Sequence, residues 1–172
     1  MRWFNSIIRT ISVIFLILLV FTLLLFTIRL FSNRQIDDVS SLIPCEEKYL
    51  LISDELYIVP NFNNIPISNN ISWCNYILSL NKTLALHGVY HEYKEFSIDR
   101  NQDYLDKGII IFEDCFNKTP SSFKPPQLAI SNNNKKLIKN NFNLNLRFNQ
   151  ITHKVYHCND SGIFSNKFID WF

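Results

Sequence analysis

The stretch Thr83-Leu84-Ala85-Leu86-His87-Gly88-Val89-Tyr90-His91 decides how the chain is read. Its first four residues form a short apolar run compatible with a β-strand, and the run stops at His87-Gly88. Gly88 lets the backbone turn sharply and approach an ion closely. Two histidines separated by three residues fall on one face of a helical turn, so both imidazoles can reach one divalent ion at about 2.0–2.1 Å. The location strengthens that reading, because α/β sheets and barrels place their sites at the C-terminal ends of strands. Two half-exposed histidines beside a turn are the plainer alternative, and this stretch alone leaves both open.

Working outward, short apolar runs alternate with helical segments. Leu56-Tyr57-Ile58-Val59 before Pro60 reads as a buried strand closed by a turn. Ile71 to Leu80 carries helical apolar spacing at Trp73, Tyr76, Ile77 and Leu80, introduced by Ser or Asn residues suited to an N-cap. Tyr93 to Lys107 is polar and helical in character, with Gly108 as its C-terminal stop, and Ile109-Ile110-Ile111-Phe112 fits helix or strand. Phe123-Lys124-Pro125-Pro126 must be extended, since residues before proline avoid the α region. Asn132 to Asn140 predicts a surface helix, and Phe142 to Phe148 alternates like a half-exposed strand. This succession predicts an α/β body with a largely parallel sheet. There are no repeats, and the Asn clusters read as loops.

The other end of the chain is a different material. Thr10 to Ile28, TISVIFLILLVFTLLLFTI, holds no charge, Gly or Pro. At about 1.5 Å per residue it covers roughly the 30 Å of a bilayer's hydrocarbon core. A cleaved signal peptide would have a shorter apolar stretch and a small-residue cleavage site. The expected organisation is an N-terminal cytoplasmic segment over residues 1–9, a transmembrane helix over 10–30, and a body over 31–172 that starts almost at the membrane surface. Arg2 and Arg9 on one side face Arg29 and Arg34 on the other, so the positive-inside rule barely discriminates. The favoured orientation puts the body on the extracytoplasmic side, where the sequons at Asn70, Asn81 and Asn159 would be available for glycosylation.

A formal charge of +2, with no basic block, argues against a nucleic-acid partner. Cys45, Cys74, Cys115 and Cys158 are far apart and contain no C-x-x-C pair, which excludes a zinc ribbon or a thioredoxin-type site. One or two disulfides fit an extracellular body, but the sequence does not pair them. Reduced, buried cysteines fit equally well.

Two further constellations carry chemistry. Asp37-Asp38 ends a short β-like stretch, where neighbours point to opposite sides, so that one acid can bind a cation while the other reaches substrate or water. Two solvated acids in a turn are the competing reading. The double proline of Phe123-Lys124-Pro125-Pro126 fixes backbone shape without N–H groups, which suits the rigid wall of a groove, although a simple loop serves as well.

Read in order, Ile36-Asp37-Asp38-Val39, Ile58-Val59-Pro60-Asn61, Leu84 to Glu92 with Glu95-Phe96 beyond it, and Phe123-Lys124-Pro125-Pro126 resemble the polysaccharide deacetylase superfamily, over about Gln35 to Phe142. The resemblance implies an α/β fold: a shortened, distorted (β/α) barrel of polysaccharide-deacetylase type preceded by one transmembrane helix. It implies a divalent metal, usually zinc, held by Asp38, His87 and His91, with Asp37 as general base. Phe123, Pro125 and Pro126 would wall the substrate groove. Relatives supply a late histidine as general acid; the candidates are His153 and His157, and His157 is favoured because it follows apolar Val155-Tyr156 and precedes a polar Asn-Asp turn. Relatives also run further, so the body is expected to be C-terminally incomplete, and Gln127 stands where an aromatic residue often follows the prolines. The function implied is a membrane-anchored, metal-dependent hydrolase that removes acetyl groups from N-acetylated glycans. The alternative is a catalytically inactive relative that binds glycans or serves as a structural membrane protein.

Overall fold

The computed structural model describes residues 2–172; residue 1 and the side chains of residues 2 and 4–6 lie outside that description. The expected segment 1–9, with its Arg2 charge, therefore falls partly outside the described residues. A helix α1, Arg2–Phe31, opens the chain. Its stretch Ile7–Phe31 is apolar and long enough to cross a membrane, and the most apolar 18-residue window of that stretch is not buried by the protein. Thr22 and Thr27 donate their hydroxyls to the carbonyls of Leu18 and Leu23, both at 2.8 Å, so neither needs water.

The body follows as β1 Gln35–Val39, α2 Glu47–Ile52, β2 Glu55–Ile58, α3 Ile71–Ser79, β3 Thr83–Leu86, α4 Gln102–Phe116, β4 Ser122–Phe123, α5 Asn132–Asn141, β5 Asn143–Leu144, α6 Arg147–Thr152, β6 Val155–His157 and α7 Asn166–Trp171. The helix starts are set locally. Asn70, Asn101, Ser131 and Ser165 each accept a backbone N–H in the first turn of the helix they precede.

All paired strands are parallel, in the order β5-β4-β3-β2-β1-β6. One sheet face carries Ile36, Leu56, Ile58, Leu84, Leu86 and Phe123, which join the hydrophobic core with Phe112 and Phe116 of α4. Tyr156 of β6 lies on the same face and stacks on Tyr49 of α2 with ring centroids 4.8 Å apart. The other face is buried and polar. There Glu55 accepts from Gln35, Tyr57 and Ser122, each at 2.9 Å, and Asn145 donates to the Tyr57 hydroxyl at 2.6 Å. Buried polar groups are tolerated only when paired, and this set pairs itself.

Several expectations are corrected. The sheet does not close into a barrel among the described residues, since β5 and β6 end it on opposite sides. The predicted helix over Tyr93–Lys107 lies too early: α4 starts at Gln102 and runs through Gly108 to Phe116. Gly108 sits inside the helix because Val89 packs on it; a Cβ there would lie 2.9 Å from Val89 Cγ2. Ile109 to Phe112 is therefore helical. Phe142 to Phe148 yields only the two-residue β5 before α6 begins. The cysteines pair as Cys45–Cys158, joining the loop after β1 to the end of β6, and Cys74–Cys115, joining α3 to α4.

Candidate functional site

The C-terminal ends of β1, β3, β4 and β6 meet at one cavity of about 790 Å³. Both acids of the Asp37-Asp38 pair line it. Strict alternation predicts that they diverge, and the structure corrects this. Asp38 has φ 64°, and the β1–β2 register slips between Ile36 and Val39, which turns the second acid back to the side of the first.

His87 follows β3 and is held on both sides: its N–H donates to the Ile58 carbonyl at 2.7 Å, and its Nδ1 lies 3.0 Å from the Lys124 carbonyl. That carbonyl accepts a hydrogen bond from Nδ1–H and aims Nε2 at Asp38, an arrangement that orients metal-ligating histidines. His87 Nε2 and His91 Nε2 lie 3.1 and 2.7 Å from the same oxygen, Asp38 Oδ1. One ligand atom from each of Asp38, His87 and His91 falls within 4.8 Å of the others. Metal bonds of about 2.0–2.1 Å at tetrahedral angles put donor atoms roughly 3.3 Å apart, so this donor set fits a divalent cation.

The two histidines do not share a helical turn, contrary to the spacing argument. Gly88 and His91 have φ of 71° and 62°, and the loop between them folds around Glu95. The buried Glu95 carboxylate accepts the backbone N–H groups of Val89, Tyr90 and His91, each at 3.0 Å, and the Tyr104 hydroxyl at 2.7 Å. Gly88 is required here: a Cβ would overlap the Glu95 carboxylate and the Pro126 ring.

Asp37 is clamped as well. Its Oδ1 accepts from Lys124 Nζ at 2.7 Å, and its Oδ2 accepts from Gln150 Nε2 at 3.2 Å, with His157 Nε2 at 3.8 Å. Lys124 is 0 % exposed; it also donates to Gln35 at 2.9 Å and lies 3.8 Å from the Tyr57 ring centroid. Ser161 donates to the second Asp38 oxygen at 2.5 Å.

The electrostatics follow from burial opposed by neighbours. Burial alone would raise the Asp38 carboxyl, but hydrogen bonds and charge from His87 and His91 hold it far below the usual carboxylate range. Burial opposes charge on His87, yet Asp37 and Asp38 push it above its ordinary value. Burial lowers Lys124, which Asp37 only partly offsets.

His157 ends β6 and lines the cavity; Asn166 brackets its backbone, accepting the N–H at 2.9 Å and donating to the carbonyl at 2.8 Å. His153, the other candidate, turns away into the last turn of α6, with Nδ1 2.9 Å from Thr152 Oγ1 and 3.2 Å from the Asn149 carbonyl. Of the groove residues expected from Phe123-Lys124-Pro125-Pro126, only Pro125 lines the cavity. Phe123 is in the core, edge-on to Phe96 at 4.9 Å, and Pro126 packs at Gly88. Gln127 and Leu128 extend the wall instead.

Sequence reasoning missed Lys124, Gln150 and Ser161, and did not assign Glu95 its role. Lys124 left one trace, a cation between a core aromatic residue and a double proline at a strand end. Gln150 and Ser161 left none, because contacts across 113 and 123 positions have no local pattern.

Among known proteins, no family model matches the chain and no curated protein matches it. Among solved structures, the Xyl-CE4 domain of a multidomain xylanase from the hindgut metagenome of Trinervitermes trinervoides superposes with a TM-score of 0.43 and 17 % identity, over 64 % of this chain and 57 % of that one. The chain thus spans little more than half the length of that domain.

Proposed function

We propose that this protein is a membrane-anchored, metal-dependent hydrolase that removes acetyl groups from an N-acetylated sugar. The convergence of Asp38, His87 and His91 beside Asp37 and His157 carries the reading. Asp38, His87 and His91 would hold a divalent ion, zinc by preference for a carboxylate and two imidazoles, in a set that leaves a position open. When bound, the ion supplies Lewis acidity to the acetyl carbonyl and to water.

The chain's own groups do the rest. Asp37 takes a proton from the attacking water, with Lys124 and Gln150 fixing the orientation of its carboxylate. Water oxygen bonds to the acetyl carbon, and the C–N bond breaks. His157 gives a proton to the departing nitrogen, so amide and water become acetate and amine. Pro125 and Leu128 exclude solvent along one wall. In this reading the sheet is an open arc of a distorted (β/α) barrel, α1 is the anchor, and the body lies in an oxidising, extracytoplasmic compartment. The two disulfides support that last assignment.

One observation favours a non-catalytic glycan-binding relative: His157 Nδ1 is buried with no hydrogen-bond partner among the described residues to fix its tautomer. Full-length protein in detergent decides between the two. Wild type should hold about one metal equivalent, which His87→Ala and His91→Ala should lose. It should release acetate from N-acetylated sugars, and Asp37→Asn should stop release while keeping the metal. Equal metal content in all variants would sink the reading; metal and sugar binding without acetate, indifferent to Asp37→Asn, would establish the non-catalytic one.

A further inference from the structure

We propose that the membrane-facing half of the cavity is a subsite for a lipid phosphate, so that the acetylated sugar arrives joined through phosphate to a membrane-embedded tail. The proposal rests on the hydrolase reading and names its substrate class.

The wall of the cavity is the first ground. Leu25 belongs both to the apolar span of α1 and to the cavity lining. Ile151, Phe164 and Phe168 continue that lining while remaining exposed to solvent. Phe172 closes it against α1, its ring 6.2 Å from that of Phe26, and the neighbouring Trp171 is 77 % exposed. A sugar ring can stack on an aromatic side chain, but it gains nothing from an aliphatic wall that continues into a membrane helix. A hydrocarbon tail does gain from it.

Arg29 is the second ground. It lines the cavity and is only 5 % exposed. Its Nη1 donates to the carbonyls of Gln150 and Ile151 at 3.3 and 3.1 Å, and its guanidinium lies 5.0 Å from the Phe172 ring centroid. Its Nε and Nη2 are buried without a hydrogen-bond partner among the described residues. A guanidinium with two unused donors is destabilising until an acceptor arrives, and its planar fork matches phosphate. Exposed Arg147 adds a second cation to the same cavity.

Depth is the third ground. About 20 apolar residues fill the hydrocarbon core, so the last turn of the Ile7–Phe31 span, which carries Arg29, sits at the level of the lipid phosphates. Gln150 links this subsite to the reacting centre: its carbonyl accepts from Arg29 and its side chain donates to Asp37. A sugar bound between them would have its phosphate at Arg29 and its acetyl group at Asp37.

The test uses full-length, metal-loaded protein in dodecyl maltoside micelles, which contain no phosphate. Three probes are compared: N-acetylglucosamine 1-phosphate esterified to a hexadecyl chain, hexadecyl N-acetylglucosaminide, and free N-acetylglucosamine 1-phosphate. Binding is measured on Asp37→Asn protein so that nothing turns over, and acetate release on wild type. The hexadecyl phosphodiester should bind at least about tenfold tighter than the phosphate-free lipid, and the soluble sugar phosphate should compete only at about tenfold higher concentration. Arg29→Gln should abolish the preference for phosphate, and Arg147→Gln, at the exposed rim, should weaken it. Equal binding of the two lipids overturns the proposal without any variant, so a misfolded Arg29→Gln protein leaves it testable. Soluble sugar phosphate as potent as its lipid ester overturns the membrane source. Preference for the phosphodiester with no acetate released keeps this subsite and defeats the hydrolase reading; acetate release with no preference does the reverse.

Discussion

Lys124 Nζ lies 2.7 Å from Asp37 Oδ1, with Lys124 fully buried and Asp37 only 2 % exposed, toward the cavity. A buried cation with one carboxylate partner is costly to form and more costly to break. Lys124 also supplies the carbonyl that orients His87, so one residue holds the candidate base through its side chain and a metal-ligand candidate through its backbone.

Lys124→Met keeps the side chain's bulk and leaves Asp37 buried without its cation. Unfolding free energy from chemical denaturation should fall by about 3–5 kcal/mol, the usual effect of splitting a buried pair. Acetate release should drop with it, while Lys124→Arg, which keeps the charge, should lose less of both.

Gly162→Ala tests the seat of His157. A Cβ at residue 162 would lie 2.5 Å from His157 Nδ1 and 2.9 Å from its Cε1, so the ring must move. If His157 is the general acid of the proposed hydrolase, turnover should fall at least about tenfold, as expected when such a group is misplaced. Metal content should change far less, because the three atoms nearest to the added Cβ all belong to His157 and none to a ligand candidate.

Glu95→Gln replaces an acceptor-only carboxylate that gathers three consecutive N–H groups ending with that of His91. One amide nitrogen must then face donors. Metal affinity, read by competition with a chromogenic chelator, should weaken by about 10–100-fold, the usual effect of losing an outer support of a ligand.

Reduction should destabilise the body markedly. The bonds Cys45–Cys158 and Cys74–Cys115 close spans of 113 and 41 residues, and in the chain-entropy model each contributes about 4–5 kcal/mol. Denaturation curves with and without reductant measure this, and a Cys45→Ser, Cys158→Ser protein should also lose acetate release, since Cys158 follows His157.

Acidification should weaken the fold through His153. Burial holds its imidazole below the ordinary value of 6.5, so the native state keeps it neutral while the unfolded chain takes up a proton. The stability it contributes is therefore present above about pH 6.5 and is lost as pH falls through the lower native value. His153→Gln should flatten the denaturation midpoint between pH 7 and 5 if measured against wild type.

The sequence displays what local patterns encode. Apolar runs at Leu56–Val59 and Thr83–Leu86 become β2 and β3, Asn70 caps α3, and Ser131 caps α5, because strand burial and capping act over a few residues. Asp37, Asp38, His87 and His91 stand out by order and spacing, although strand alternation sends the two acids apart and a helical turn does not describe the two histidines. A register slip brings the acids together, and a glycine-led loop around Glu95 brings the histidines together. Gly108 misled because a glycine that admits Val89 looks, in sequence, like one that ends a helix. The polar sheet face was hidden for a related reason: Gln35, Glu55 and Lys124 read as ordinary surface residues until distant partners meet.

The bond between Cys45 and Cys158 also fixes an order of events during synthesis. Asp37, Asp38, His87 and His91 have all left the ribosome long before His157 is made, and the strand that bears it cannot be locked until the next residue meets a thiol 113 positions earlier. A half-made chain thus carries the three candidate metal ligands but not the candidate proton donor. On the hydrolase reading, the candidate groups are all held in place only when synthesis has passed residue 158 and an oxidant has closed the ring.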